Sequence, residues 1–370
     1  MQLSVSTFTF SYVPSTIHDL IIAFSLDVGH KTTAVAWEGL SDPECGHSSE
    51  LTKTVFGRAM NTNLPFWDFL ALPEQQHRHH IFGFLMQGAA ALQPPNMIFK
   101  ALDWSSVSST AKIVDVGGGI GTATMPLIEK YPDLTVIVQD LPHVVEEGRK
   151  FWMTKNPAAL TSGRAKFEAH DLLNPQPIKD ASIFIVKQVL HNWPDKYNAQ
   201  ILRNLREAAT PSTTLVMIDY VLPYACRQPA DGVLGQIEGD VNDIAPEPLL
   251  PNYGPLSESA YGFDFMMMLY FNAQEHTLLQ FKELLASAGW DVKKCNAIDV
   301  KIESYSIQPF MYSCNRTTSG CTVITITFLN VAVIIGTGSL RTTGSPPVSV
   351  LVPIPVPVPP VPVHPNPKLF

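Results

Sequence analysis

Between Ala111 and Ile218 the chain repeats one pattern, a short apolar run followed by a longer segment whose apolar residues recur at helical spacing. The runs are Ile113–Val116, Leu134–Val138, Ala165–Ala169, Ile183–Val186 and Leu215–Ile218. Near-continuous apolar strands alternating with amphipathic helices predict an α/β fold, doubly wound around a mostly parallel sheet, with its site at the carboxyl ends of the strands. After Asp195 the residues Tyr197, Ile201, Leu202, Leu205 and Ala209 fall on one helix face. Thr277 and Gln280 read as a capping box for a further helix, with Leu278, Phe281, Leu284, Leu285 and Ala288 as its stripe and Gly289 as its stop. Pro126 falls inside the helix expected after the first strand, but close enough to its start that the missing N–H has no helical partner to lose.

The flanks read differently. Residues 1–45 are rich in Ser and Thr, with one short apolar run at Leu20–Leu26, and no element is assigned to them. Residues 46–104 are helical in pattern: Val55, Phe56 and Met60 make one stripe, Leu85, Met86 and Ala89–Leu92 another, and Pro94-Pro95 ends the second. Residues 105–312 form the predicted catalytic domain, interrupted at 223–260 by a Pro-, Gly- and acid-rich insertion too long for an ordinary connection, either a lid or a loop. The segment 313–370 ends in proline at nearly every second position, which favours extended polyproline II outside the fold.

Composition narrows the function. Of 370 residues, 45% are hydrophobic and 16% charged, as in a globular protein with a sizeable core, and the net charge of −8 with no basic cluster argues against a nucleic-acid partner. Five widely spread cysteines show no metal or disulfide spacing, and the first residues lack the layout of a secretory signal, so a cytoplasmic protein is expected. Thr322–Ile335 is apolar but short for a membrane span, and no membrane role is expected. The cluster His77, His79 and His80 has no carboxylate at ligand spacing and reads as a solvated helix face, so no metal is expected.

The chemistry centres on Ala111–Asp140. After Asp115 and Val116 come Gly117, Gly118, Gly119 and Gly121, which leave the backbone open to a ligand. The spacing is G-x-G-x-G, with Thr122 where a dinucleotide fingerprint has its third glycine. With Asp140 closing the next strand, the stretch is similar to the S-adenosyl-L-methionine site of class I methyltransferases. QDLPHVVEEG (139–148), HDLLNPQP (170–177), IFIVKQVLHNWPD (183–195), MIDYVLPYA (217–225) and NAQEHT (272–277) follow in order. Together they resemble the plant and fungal small-molecule O-methyltransferases of the caffeic-acid and flavonoid type, fungal secondary-metabolite members above all.

That resemblance implies a seven-stranded sheet, an N-terminal helical region for homodimerisation, and methyl transfer from S-adenosyl-L-methionine to a small aromatic hydroxyl. It assigns Asp115, Gly117, Gly119, Gly121, Asp140, Leu141, Asp171, Leu172 and Lys187 to the cofactor. His191 takes the general-base position, and Asp219 and Glu275 flank it. Separately from the resemblance, the bulky side chains around Met267 and Met268, with Asn272, read either as the lining of an acceptor pocket or as a core helix. A phenol with a pKa near ~10 is a weak nucleophile until a base removes its proton, which is the reason for the histidine. Asp219 is a departure, since many plant members carry glutamate there. The chain resembles only the last part of the family's N-terminal region, and the segment from about Met311 looks foreign, so impaired dimerisation and activity are expected. Two other readings stand beside the enzyme: a catalytically impaired relative that only binds cofactor or a partner, and a nicotinamide oxidoreductase.

Overall fold

A computed structural model describes residues 23–93, 97–227, 244–295 and 324–325. Strands β1 (Lys112–Val116), β2 (Thr135–Asp140), β3 (Ala165–Ala169), β4 (Ile183–Lys187) and β5 (Thr214–Ile218) form one parallel sheet in the order β3-β2-β1-β4-β5. The register sets Asp115 beside Val138 on one side and Ile185 on the other. The chain leaves β1 toward β2 and β3, then returns to build β4 and β5 on the other flank, so the order reverses between β1 and β4. Ligands of such sheets bind where that reversal opens a crevice at the carboxyl ends.

The sheet among the described residues has a sixth strand, β6 (Ile324–Thr325), paired parallel to Leu215 and Val216. This short piece brings two residues of the segment 313–370 to the edge of the sheet. It comes from a run rich in β-branched residues, and among the described residues it is the strand paired with β5 on the side away from β4. The polyproline stretch and any seventh strand lie outside the described residues.

Helix α1 (Val55–Met60) is capped by the Thr54 hydroxyl, which accepts from the Gly57 N–H, and α2 (Gln76–Leu92) stops just before Gln93. Helix α3 (Met125–Lys130) carries Pro126 in its first turn, as expected, and α4 (Pro142–Lys155) follows β2. Helix α5 (Asp195–Ala208) buries Ile201, Leu202 and Leu205. Helix α6 (Glu258–Phe271) leads through a short irregular stretch into α7 (Leu278–Ser287), whose Thr277–Gln280 capping box is present. None of the described helices is long and apolar enough to cross a membrane.

Two hydrophobic cores result. One packs helices on both faces of the sheet around Val114, Trp152, Phe184, Ile185 and Trp290. The other joins α1 and its neighbours to the end of α6, with Phe66 stacked on Tyr270 at 5.9 Å and tilted against Phe56 at 4.9 Å. Residues 25–41 belong to this second core as short helices that bury Val28 and Ala36, so the structure fills part of the segment left unassigned on sequence. Of the insertion at 223–260, residues 228–243 lie outside the described set; Tyr261 ties its two ends, donating to the Pro223 carbonyl and accepting from Asn252.

Candidate active site

The glycine turn after β1 folds as it does because Gly117, Gly119 and Gly121 all have positive φ, at 64°, 59° and 75°. Their surroundings differ. A β-carbon at Gly117 would stand 2.9 Å from Val189, and one at Gly121 2.8 Å from the Trp152 indole nitrogen. At Gly119 it would meet nothing within 4 Å. The backbone is thus packed on either side and open in the middle, a cradle for a ligand laid against it. Gly118, grouped on sequence with the glycines that open the backbone to a ligand, has no room for a side chain because Asp115 lies 2.5 Å from where its β-carbon would be.

Asp140 at the end of β2 locks this turn. One carboxylate oxygen accepts the Gly119 N–H at 2.8 Å and the other the Leu141 N–H at 2.7 Å. Burial pushes the Asp140 carboxyl up, with both hydrogen bonds pulling the other way. Leu172 reaches toward Gly117, and Asp171 is folded into its own turn, accepting from the Leu173 N–H and the Asn174 amide.

A row of buried charges runs from the turn across the carboxyl ends of the strands toward β5. Asp115 is fully buried, accepts the Thr124 hydroxyl at 2.9 Å, and is pushed up to about 6 by burial against the pull of that hydroxyl and of Lys187. Burial draws the Lys187 ammonium, at the end of β4, down to about 8 despite Asp115 and Asp219. Lys187 donates to the Gln188 side-chain oxygen at 2.8 Å.

At the end of this row His191, in a short helical turn after β4, meets two acids that arrive from other parts of the chain. His191 Nδ1 lies 2.9 Å from Glu275 Oε1 and 3.8 Å from Asp219 Oδ1. Both carboxyl groups are buried, and Asp219 Oδ2 and Glu275 Oε2 have no hydrogen-bond partner among the described residues. Burial alone would lower the imidazole; the charges of Glu275 and Asp219 overcome it and raise His191 to about 9. Burial lifts Asp219 to about 7, partly countered by His191. In the neutral ring, with Nδ1 donating to Glu275, Nε2 is left as the ring's acceptor.

The structure therefore brings together Asp115, Gly117, Gly119, Gly121, Asp140, Leu172 and Lys187 around the turn, and His191, Asp219 and Glu275 beyond it. The acceptor-pocket residues separate. Met267 is buried in the second core, Met268 packs against that core from a partly buried position, and the Asn272 amide donates to the Glu50 and Lys53 carbonyls at 2.9 and 2.8 Å. Of the histidine cluster, His77 and His80 are exposed, while His79 turns inward with its ring 5.1 Å from that of His143.

Three residues beside the site were given no role of their own on sequence. Gln188 sits at φ 53°, uncommon for a side chain with a β-carbon, and accepts from the Gln93 amide at 2.6 Å. Tyr220 stacks on Phe263 with centroids 6.0 Å apart, an apolar wall next to Asp219. Asp264 accepts the Glu275 N–H at 2.9 Å.

Residues 51–291 match the O-methyltransferase domain family. Among curated relatives, a 4-O-methyltransferase 1 of Phanerochaete chrysosporium is 45% identical over 267 residues, which cover 72% of this chain and 56% of that protein. An O-methyltransferase of Armillaria gallica is 33% identical, covering 78% of this chain and 61% of its own length. The chain thus spans little more than half the length of these relatives. Solved structures with the same fold include LepI in complex with SAM, at TM-score 0.57 and 22% identity over 81% of this chain and 67% of LepI. Another is the mitomycin 7-O-methyltransferase MmcR, at TM-score 0.56 and 20% identity over 82% of this chain and 74% of that one.

Proposed function

Because the chain belongs to the O-methyltransferase domain family, we propose that it transfers a methyl group from S-adenosyl-L-methionine to a hydroxyl of a small aromatic acceptor. The observation that carries this reading is the pairing of His191 with buried Glu275 at the carboxyl end of the sheet that holds the open glycine turn. The residues fit the cofactor: Gly119 faces open space, and Asp140 anchors the turn from within bonding distance of its backbone. Gly117, Gly119, Gly121, Asp140, Leu141, Asp171, Leu172 and Lys187 would hold it, with Asp115 setting the charge beneath. When bound, it supplies a methyl group on a positively charged sulfur.

His191 takes the acceptor's proton at Nε2 while Glu275 holds the Nδ1 proton and the ring's orientation. A base raised to about 9 nearly matches a phenol at about 10, so the proton transfer costs roughly 1 kcal/mol, against about 5 for an imidazole at its ordinary value. Asp219, at 3.8 Å, acts through its charge without a hydrogen bond. The stacked Tyr220 and Phe263 offer a flat apolar surface to an aromatic ring. Homodimerisation through the N-terminal helices, where Trp37 and Phe84 are exposed, and a cytosolic setting belong to the same proposal.

The test is transfer of labelled methyl from S-adenosyl-L-methionine to a panel of phenols, comparing wild type with His191→Ala. Loss of about 10²–10⁴ in rate is expected. Transfer that survives unchanged in the variant overturns the assignment of the base.

A further inference from the structure

Glu275 does not sit on a helix or a strand. It lies in the irregular stretch between α6 and α7, yet its carboxylate must be held against His191 to within a few tenths of an ångström. Something outside the stretch has to fix it.

Asp195, the first residue of α5, grips both neighbours of Glu275. Its Oδ1 lies 2.8 Å from His276 Nε2, and its Oδ2 accepts from the Gln274 amide at 3.3 Å. The His276 ring is wholly buried and stacks on Phe281 at 4.7 Å. Its Nδ1 has no partner among the described residues, so the ring's hydrogen bonding inside the protein is directed at Asp195. The His276 carbonyl accepts the Leu222 N–H at 2.8 Å, which ties the same residue to the end of the β5 segment bearing Asp219.

Asp195 also closes the turn that carries His191. One five-residue stretch, His191–Asp195, therefore supplies both the imidazole and the carboxylate that fastens the stretch bearing the imidazole's partner. The contact of His276 with Asp195 and that of Glu275 with His191 alternate along the two stretches of chain like two rungs, and slippage of one moves the other.

We propose that Asp195 and His276 are positioning residues that set the Glu275 carboxylate against His191. The proposal rests on the reading of His191 and Glu275 given above. Neither residue reaches the reacting atoms; both act through Glu275.

The experiment is a double-mutant cycle on the full chain. Asp195→Ala and His276→Gln are each made in wild type and in Glu275→Gln, and kcat and KM are measured for methyl transfer. Asp195→Ala is expected to lower kcat between about 10- and 100-fold, with KM for S-adenosyl-L-methionine little changed. In the Glu275→Gln background the same substitution costs less than about twofold, because no carboxylate charge remains to be held against His191. Asp195→Asn, whose oxygen still accepts from His276, restores most of the rate. Equal losses in both backgrounds, or no rescue by asparagine, overturn the proposal and leave Asp195 a structural residue of α5. If Glu275→Gln itself leaves kcat unchanged, the fault lies in the reading of Glu275, and the positioning role falls with it. Unfolding midpoints of every variant separate these results from loss of fold.

Discussion

His191 and Glu275 are 84 residues apart in sequence and 2.9 Å apart in the fold, a buried acid–imidazole contact at the carboxyl end of the sheet. Glu275, with Asp219, keeps the imidazole protonated well above its ordinary value, raised to about 9 against the effect of burial. A base must be neutral to act, so kcat/KM, which reports on the free enzyme, should rise with pH to a limb near 9. In Glu275→Gln the negative neighbour is gone and burial dominates, so the limb should move to lower pH while kcat falls. A pH–rate profile of both proteins checks this; a limb that stays in place in the variant excludes Glu275 as the source of the shift.

The glycine turn separates binding from folding. Gly119→Ala places a methyl group in open space at φ 59°, and should cost about 1–2 kcal/mol of stability while filling the surface where the cofactor would lie. Gly121→Ala drives a methyl group into Trp152 and Val138 and should be the more destabilising. Thermal shift with S-adenosylhomocysteine distinguishes them: Gly119→Ala is expected to unfold close to the wild-type temperature and lose the ligand-induced rise. Equal ligand stabilisation of Gly119→Ala and wild type contradicts the cradle.

Asp115 predicts a pH dependence of stability. Its carboxyl is raised to about 6 in the folded protein from an ordinary 3.8, chiefly by burial. The folded state therefore binds that proton more tightly than the unfolded chain. The stabilisation is complete below about pH 4 and is lost as pH rises through about 6. Asp115→Asn keeps an acceptor for the Thr124 hydroxyl and has no charge to bury, so it should be more stable than wild type at about pH 7 by the order of 1–3 kcal/mol, with the difference shrinking toward about pH 4. Urea unfolding at several pH values measures it, and a difference independent of pH rules out the buried charge as its cause.

The sheet was readable because each buried parallel strand is a compact apolar run: β3 lies where the pattern placed it, and the others differ by one or two residues at their ends. The α7 capping box is equally local. The helices at 25–41 were not readable, since Thr32 and Thr33 interrupt the apolar pattern and the aromatic partners that bury Phe24 and Val28 come from α1, α6 and their neighbours, far along the chain. Within the site, the glycine spacing is a local signal. The meeting of His191, Asp219 and Glu275 is tertiary and entered only through a family resemblance. Asp195, His276 and Gln188 lie inside the quoted motifs but had no individual role there, because each acts through a contact with a residue distant in sequence or through a backbone angle that a glutamine does not advertise.

Asn272 offers the last test, because sequence and structure give it different surroundings. The sequence puts it in the acceptor pocket; in the fold it ends α6 at φ 53° and its amide holds the carbonyls of Glu50 and Lys53. Asn272→Gly tolerates the backbone angle but loses both hydrogen bonds, and should cost about 1–3 kcal/mol. Asn272→Ala loses the same bonds and adds about 1 kcal/mol for a β-carbon in the left-handed region. If the amide's work is to fasten the 50–53 segment, both variants lower the melting temperature, alanine more than glycine, and KM for the acceptor stays within about twofold of wild type. A raised acceptor KM at an unchanged melting temperature would instead return Asn272 to the pocket.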